Sequence, residues 1–431
     1  MDRHSIKKSS YKLDGKKLTI QFAFSKGKPS ANGQKGVNME TKEVYIVSAA
    51  RTPIGDFRGA LSPLSVVELG GIVAEEVVKR AGIEKEAVEE ITAGMIYKGG
   101  QKGNPARQIQ IKYGFPESGY ACTIDQQCGS GMRAVEVLSQ QIMLGKTEVG
   151  IAIGMESMSN AAYVLTEGRG HRSGDMKMYD SITYDGLNCA ICDYHMGRTA
   201  ENLAAKYNIT RQEQDELAYQ SHQRALAAQA EGRFVDEIVP VKIKGRKGQV
   251  TVIEQDEHPK NSSLEKLASL KPVFLKDGTV TAGNASGIND GAAALLFMSK
   301  EALEQYNMKP IAKIIGTASH GVDPAYMGIG PVYALPKAVK AAGLSMDDIE
   351  YFEINEAFAA QYLACEKELK LGSKKVNRNG SGIALGHPVG ATGVRILVSL
   401  LYEGMREKIH YGAASLCVGG GPAIASVIEF L

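Results

Sequence analysis

The sequence predicts an α/β protein built from two related halves. The segment "VKRAGIEKEAVEEI" (78–91) aligns with "VKAAGLSMDDIEYF" (339–352), and at nearly the same spacing "GSGMRAVEVL" (129–138) aligns with "ATGVRILVSL" (391–400). The first pair is typical of an amphipathic helix that ends at a glycine before a strand, and the second of a glycine loop before a buried helix. Two matches at one spacing favour gene duplication over chance similarity between helix caps.

Length and composition agree with this fold class. The chain has 431 residues, of which 44% are hydrophobic, 23% are charged and 48 are glycine, which fits two domains or one duplicated fold. No apolar run approaches the ~20 residues that a membrane helix needs. The first 38 residues hold nine Lys or Arg against two Asp or Glu, so the remainder carries a net charge of −5. That balance does not favour a general nucleic-acid surface.

Regular structure is expected to begin at the β-rich run "EVYIVSAARTPIG". Residues 1–38 are rich in Lys, Ser and Gly, and we expect an N-terminal extension that is a flexible arm or a fusion remnant. The first half is predicted over 40–160 and 280–310, and the second half over 311–431. A loop domain over 161–279 is predicted to cover the core and carry substrate contacts.

Six cysteines are too few for a disulfide scaffold in a chain of this length, so reduced thiols are expected. Neither a secretory hydrophobic segment nor a peroxisomal tripeptide is found, and we therefore expect a cytoplasmic protein. Cys189 and Cys192 lie close to His195 in "LNCAICDYHMG". One such short knuckle without a second pair does not predict a metal site.

Cys128 is the first candidate for chemistry, since "DQQCGSGMRAVEVL" places it where a loop enters a helix. Unpaired N–H groups and the helix dipole at that position are expected to lower the thiol pKa below its usual ~8.5 and favour a nucleophilic thiolate. A small buried hydrophobic side chain is the alternative, and this segment alone does not decide between them.

Three further residues lie in segments suited to proton transfer. His387 in "GHPVGATG" lies in a loop before a helix and can accept the proton of a nucleophile. Cys417 in "CVGGG" follows a strand, where glycine N–H groups can hold an anion. Asn355 in "EINEAFAAQYL" lies between a strand and a helix, where it can point its amide into a cleft or simply cap the helix.

Seven segments, in this order, resemble the motifs of the thiolase family: "DQQCGSGMRA", "GMESMSN", "YHMGRTAEN", "TAGNASGINDGAAA", "NEAFA", "GHPVGATG" and "CVGGG". The likeness covers nearly all of 42–431, and "YHMG" is similar to the short-chain biosynthetic members. The resemblance implies a five-layered αβαβα sandwich of two duplicated halves with an inserted loop domain. It also implies an acyltransferase that reversibly condenses two acetyl-CoA molecules to acetoacetyl-CoA plus CoA.

The resemblance assigns a role to each candidate. Cys128 would take the acetyl group, with His387 as the base that activates it, and Cys417 would remove a proton from the second acetyl-CoA. Asn355, through a water, and His387 would polarise the second thioester, while the N–H groups of Cys128 and Gly419 would hold the oxyanion. Met327 would limit acyl length. The implied pantetheine contacts are Leu187, His195, Met196, Ser286, Ala357 and Phe358.

No metal or separate cofactor is expected, because coenzyme A is itself substrate and product. A homodimer or homotetramer without nucleic-acid or membrane partners is expected. The sequence departs from the family at Ser381-Gly382, where Gly-Ala is frequent, and at the arginine that often packs on adenine, for which Lys260 is the nearest substitute. The turn "KGRKG" (244–248) would either meet the nucleotide 3′-phosphate or remain a solvated turn.

Other functions use similar residues. A degradative 3-ketoacyl-CoA thiolase would act on longer chains, and a decarboxylating ketoacyl synthase normally needs a second catalytic histidine where this chain has Asn355. A Cys/His/Asn hydrolase leaves Cys417 without a role. A non-catalytic CoA-binding protein would need none of these side chains for chemistry.

Overall fold

The described part of the chain, in this computed structural model, comprises residues 8–13, 16–21, 41–245, 248–372 and 375–431. Residues 1–40 and 41–431 form separate compact units. In the first unit, strands β1 (Lys8–Leu13) and β2 (Lys16–Gln21) pair antiparallel. The flexible arm or fusion remnant expected over 1–38 falls mostly outside the described residues and stays a prediction.

The second unit alternates strands and helices along the chain. Its strands are β3 (Tyr45–Arg51), β4 (Gly55–Asp56), β5 (Glu90–Gly94), β6 (Tyr120–Ile124), β7 (Val149–Ser157), β8 (Tyr163–Leu165), β9 (Met178–Asp180), β10 (Asn188–Cys189), β11 (Tyr194–His195), β12 (Val241–Lys244), β13 (Val250–Ile253), β14 (Asn289–Met298), β15 (Ala312–Gly321), β16 (Tyr351–Ile354), β17 (Tyr411–Cys417) and β18 (Pro422–Phe430). Its helices are α1 (Val66–Ala81), α2 (Pro105–Lys112), α3 (Ser130–Met143), α4 (Met196–Tyr207), α5 (Arg211–Ala230), α6 (Leu264–Ala268), α7 (Lys300–Gln305), α8 (Pro331–Ala341), α9 (Ala359–Leu369), α10 (Gly382–Leu385) and α11 (Thr392–Glu407).

The strand order of the first half repeats in the second. The first half has the order β3-β14-β7-β5-β6, and the second has β15-β18-β17-β16. In both, the first two pairings are antiparallel and the next is parallel. The fifth position of the second half is reduced to a parallel bridge between Phe352 and Val376. The duplicated α/β fold predicted from the repeat is therefore confirmed.

Five layers follow from the way the helices cover these strands. Helices α3 and α11 pack together between the two halves, in a core that includes Met132, Val135, Val394 and Leu397. Almost every residue of α11 is buried, as expected for a helix that is covered on all sides. Helix α1 packs on the outer face of the first half, and α8 on that of the second. The αβαβα order implied by the resemblance is observed.

The segment between β7 and β14 holds short hairpins and the helices α4 to α6. Helix α5 begins with a capping box in which Thr210 and Glu213 satisfy each other's backbone N–H groups. The hairpin expected around "KGRKG" is present as β12 and β13. Arg246 and Lys247 lie outside the described residues, so their contact with a phosphate stays a prediction. None of the helices in the described part is long and apolar enough to cross a membrane.

Candidate active site

A tight turn after β6 presents Cys128 immediately before α3. Gln127 has a φ of 49°, in the left-handed region that costs a non-glycine residue free energy. Ser130 Oγ accepts a hydrogen bond from Gln126 N–H at 2.8 Å and donates one to the Gln127 carbonyl at 2.6 Å. These bonds maintain the strained turn that carries Cys128. Strain of this kind is common at functional sites.

The thiol of Cys128 has an unfavourable environment for ionisation. Burial raises its pKa to about 11, although the main-chain N–H groups of Gly419 and of Cys128 itself hydrogen-bond to the sulfur and lower the pKa. The lowered pKa expected at the helix N-terminus is therefore wrong, because desolvation outweighs the N–H groups. Cys128 is a protonated thiol at neutral pH and needs a base before it can act as a nucleophile.

His387 is held in the neutral form in which an imidazole can accept a proton. Its Nδ1 lies 2.6 Å from Thr392 Oγ1, and this hydroxyl donates its own hydrogen to the Pro388 carbonyl at 3.0 Å. Thr392 must therefore accept from Nδ1–H, which leaves Nε2 unprotonated. Burial, with a smaller contribution from the charge of Arg395, lowers the His387 pKa to about 3. The imidazole is thus neutral at neutral pH.

Gly386, the residue before His387, leaves room for Asn289 to hold the His387 main chain. Gly386 has a φ of 97°, and a Cβ there would lie 2.7 Å from the amide carbon of Asn289. Asn289 Oδ1 accepts the His387 main-chain N–H at 3.0 Å. Asn289 was not predicted from the sequence, since its link to His387 spans 98 residues.

Asn355 and Cys417 complete the group. Asn355 is fully buried, with Nδ2 3.5 Å from His387 Nε2, and it lies behind the histidine without lining the cavity described below. Cys417 ends β17, and its pKa is raised well above the usual range by burial first and then by Cys128 and Cys365. Gly420 and Gly421 follow at φ of 85° and 106°, conformations that favour glycine.

One cavity of about 270 Å³ brings together most of the residues predicted from the sequence. These are Cys128, Leu187, His195, Met196, Ser286, Met327, Ala357, Phe358, His387, Cys417 and Gly419. The lining also contains apolar residues that the sequence did not indicate: Met158, Val273, Phe274, Ile288 and Val389. They come from separate loops, where an isolated apolar residue has no local pattern that distinguishes a cavity wall from a core.

His195 both caps a helix and lines the cavity. Its Nδ1 accepts Gly197 N–H at 3.0 Å and caps α4, while its ring stacks on Phe274 with centroids 4.6 Å apart. The wall beside it is closed by Ser286, whose N–H donates to the Ala357 carbonyl at 3.0 Å. Both interpretations of His195, a helix cap and a cavity residue, are therefore compatible.

The departures from the family have different surroundings. Lys260 does not line the cavity; its Nζ lies 3.9 Å from Asp56 Oδ2 in an exposed position. Gly382 packs so closely that an added Cβ would lie 2.6 Å from Asn355 Oδ1.

Cys192 N–H donates to Cys189 Sγ at 3.4 Å. Within the described ranges, no group of three or more His, Cys, Asp or Glu has a metal-binding arrangement.

The first half contributes Cys128 to this cavity, and the second half contributes His387 and Cys417, so that a thiol, an imidazole and a second thiol meet there as an acyltransferase requires. Residues 44–301 match the sequence model of "Thiolase, N-terminal domain", and residues 308–430 match that of "Thiolase, C-terminal domain". The chain belongs to the thiolase family.

Similar proteins agree with this assignment over nearly the whole chain. A protein of Chromobacterium violaceum named acetyl-CoA acetyltransferase is 49% identical over 90% of this chain and 99% of its own length. The solved acetyl-CoA acetyltransferase of Syntrophomonas wolfei is 48% identical with a TM-score of 0.89, covering 91% of this chain and all of that one. The human mitochondrial 3-ketoacyl-CoA thiolase is 40% identical with a TM-score of 0.88, covering 90% of this chain and 99% of that one.

Proposed function

We propose that this chain is an acetyl-CoA acetyltransferase, which reversibly condenses two acetyl-CoA molecules to acetoacetyl-CoA and CoA. The observation that carries the proposal is the environment of Cys128, where two main-chain N–H groups contact the sulfur in the cavity that also contains the neutral His387. A thiol with a raised pKa beside a base and two N–H donors suits acyl transfer through a thioester. The names of the similar acetyltransferases support the substrate.

The first half-reaction acetylates the enzyme. His387 Nε2 accepts the Cys128 proton, and the thiolate attacks the carbonyl carbon of acetyl-CoA. The N–H groups of Cys128 and Gly419 donate to the oxyanion that forms. As the CoA–carbon bond breaks, the CoA sulfur takes a proton from Cys417. The products are free CoA, an acetyl thioester on Cys128 and a Cys417 thiolate near the His387 imidazolium.

The second half-reaction forms the carbon–carbon bond. The Cys417 thiolate removes a proton from the methyl group of a second acetyl-CoA, and its raised pKa makes it a strong base. His387 and, through a water, Asn355 polarise the thioester oxygen of that molecule. The carbanion attacks the acetyl carbon on Cys128, and the departing Cys128 sulfur recovers its proton from His387. All three groups return to their starting protonation states.

Cavity size favours the short-chain activity over the degradative alternative. A volume of about 270 Å³ lies just below the range of small-molecule sites, which usually span about 300–1,000 Å³. Met158, Met327 and Val389 occupy the walls and leave little room for a long acyl chain beside the pantetheine arm. The similarity to a human 3-ketoacyl-CoA thiolase keeps the longer-chain activity as the second candidate. Cleavage rates of C4 and C10 ketoacyl-CoA will discriminate, and faster C10 cleavage would favour the degradative enzyme.

The decisive experiment follows acetoacetyl-CoA thiolysis and protein mass for the wild type, Cys128→Ala and Cys417→Ala. We expect an acetyl adduct on wild-type Cys128, no adduct in Cys128→Ala, and an adduct with almost no condensation in Cys417→Ala. A wild type without an adduct would support the non-catalytic CoA-binding alternative. Equal activity in all three proteins would contradict the mechanism.

The assembly and location of the chain also belong to the proposal. We propose a cytoplasmic homodimer or homotetramer, and strand β6 supports self-association because it is the last strand of its half and has a free edge in the described residues. Light scattering coupled to size-exclusion chromatography will measure the subunit number. A monomer at micromolar concentration would contradict this part of the proposal.

A further inference from the structure

Arg395 is a fully buried arginine that lacks the usual partners. It lies on α11 and is 1% exposed. Its Nη2 lies 3.5 Å from Asn355 Oδ1, whereas Nε and Nη1 have no hydrogen-bond partner in the described part of the protein. Arg51, which is equally buried, is bound by Glu237 at 2.6 Å and by two oxygens of Asp256 at 2.7 and 2.9 Å. The charge of Glu353 acts on Arg395, but the two side chains form no direct ion pair in the described residues. A buried guanidinium without a directly paired carboxylate is costly, and its retention calls for an explanation.

The contact of Arg395 with Asn355 determines which way the amide points. A guanidinium only donates hydrogen bonds, so the atom of Asn355 that faces it is Oδ1. Nδ2 must then point to the other side, where it lies 3.5 Å from His387 Nε2. Because an amide nitrogen only donates, it stabilises the form of His387 in which Nε2 is unprotonated. Thr392 selects the same form from the opposite side of the ring.

We propose that Arg395 is a positioning residue for the condensation step, which holds the Asn355 amide with its nitrogen toward His387. Arg395 does not line the cavity and touches no substrate. Without it, the amide would be free to rotate by half a turn and present Oδ1, an acceptor that cannot donate a hydrogen bond to the water on the second thioester oxygen. This inference rests on the proposed function, in which Asn355 and His387 polarise the second thioester.

The repeat provides a matched control on the equivalent helix. Arg133 on α3 occupies the position of Arg395 in the alignment of "GSGMRAVEVL" with "ATGVRILVSL". Its side chain is 40% exposed and forms an ion pair with Glu136. Arg133 does not line the cavity, so its removal tests the loss of an arginine from a central helix without loss of the amide contact.

The experiment compares Arg395→Met, Arg395→Lys and Arg133→Met with the wild type. For Arg395→Met we expect kcat of condensation to fall about 10- to 100-fold with little change in KM, because a misplaced catalytic group has an effect of that size. Acetylation of Cys128, followed by protein mass, should stay within about threefold of the wild type, since Thr392 and Asn289 still hold His387. Arg395→Lys retains a cationic donor and should recover part of kcat. Arg133→Met should match the wild type.

A double-variant cycle shows whether Arg395 acts through Asn355. In the Asn355→Ala background, Arg395→Met should slow condensation by no more than about twofold further, since the amide it orients is gone. If the rate losses of Asn355→Ala and Arg395→Met multiply in the double variant, the proposal is overturned. Equal losses in Arg133→Met and Arg395→Met would overturn it as well. Should Arg395→Met fail to fold in a thermal unfolding control, Arg395→Lys replaces it in the same cycle. A wild type that never acetylates Cys128 would refute the proposed function instead.

Discussion

Ser130 and Thr392 are the first residues of α3 and α11, at equivalent positions in the two halves. Each hydroxyl accepts one hydrogen bond from the preceding loop and donates one back to a loop carbonyl. In the first half the accepted bond comes from a main-chain N–H and maintains the turn before Cys128. In the second half it comes from the His387 ring and selects the tautomer. One local geometry thus holds the Cys128 turn in one half and the His387 ring in the other.

The ends of β5 and β16, which pack beside these two helices, differ in the same way. At the repeat spacing, Gly94 corresponds to Asn355. A Cβ on Gly94 would lie 2.2 Å from the main chain of Ser130, so α3 packs directly against the end of β5. In the second half the equivalent space holds the Asn355 amide, which contacts His387 and Arg395. The duplicated fold therefore carries Cys128 in one half and the polar network around His387 in the other.

The largest expected effect is the loss of the base from the second half. His387→Ala should slow acetylation of Cys128 about 10²- to 10⁴-fold, the usual contribution of a general base. Rapid-quench mass analysis of the acetyl adduct will measure it. As a comparison, His195→Ala should mainly raise KM, because His195 lines the cavity and caps α4 without contacting His387. Similar acetylation rates for His387→Ala and the wild type would remove His387 from the proposed mechanism.

A second prediction concerns the pH dependence of the thiol in the first half. Because the Cys128 pKa is raised to about 11, the thiolate fraction should rise roughly tenfold per pH unit through pH 7 to 10. Alkylation of Cys128 by iodoacetamide, located by peptide mass, should follow that slope. At pH 7 the thiolate should be on the order of 10² times scarcer than for a thiol of ordinary pKa. A plateau above pH 8 would instead restore the helix-terminus thiolate expected from the sequence.

A third prediction is that removal of the Thr392 hydroxyl affects activity, whereas removal of the Ser130 hydroxyl affects stability. Thr392→Val should lower kcat about tenfold while the protein stays folded, because His387 loses the acceptor that selects its tautomer. Ser130→Ala should instead lower the free energy of unfolding by about 1–3 kcal/mol, since the buried Gln126 N–H loses its partner. Thermal unfolding and steady-state kinetics of both variants will test the pair. Identical behaviour of the two would show that the halves use this position alike.

The smallest expected effect follows a return to the common family residue. Gly382→Ala would place a Cβ 2.6 Å from Asn355 Oδ1 and 2.7 Å from the Glu356 carbonyl oxygen. Both the amide and the Glu356 main chain must move to admit the methyl group, and we expect a loss of a few-fold in kcat with unchanged KM. Kinetics of condensation will measure the effect. An unchanged kcat would mean that the Asn355 position tolerates this shift.

Sequence reasoning located much of the site because its motifs are local. Glycine-rich turns around Cys128, His387 and Cys417 are visible in the sequence, and these three residues do line one cavity. The repeat also predicted the two related α/β halves, since helix and strand periodicities depend on nearby residues. The lowered pKa expected for Cys128 was wrong, because the burial of this thiol depends on elements that are distant along the chain. Nothing in the sequence distinguishes Arg395 from an ordinary basic residue of a helix.

The sequence by itself therefore determined the family, the duplicated α/β architecture and the candidates for the reactive side chains, because each depends on residue types at short spacing. Tertiary structure decided the protonation states, the direction of the Asn355 amide and the volume left for the acyl group. These properties arise from desolvation and from contacts between segments that are distant along the chain, and neither is encoded in any one segment.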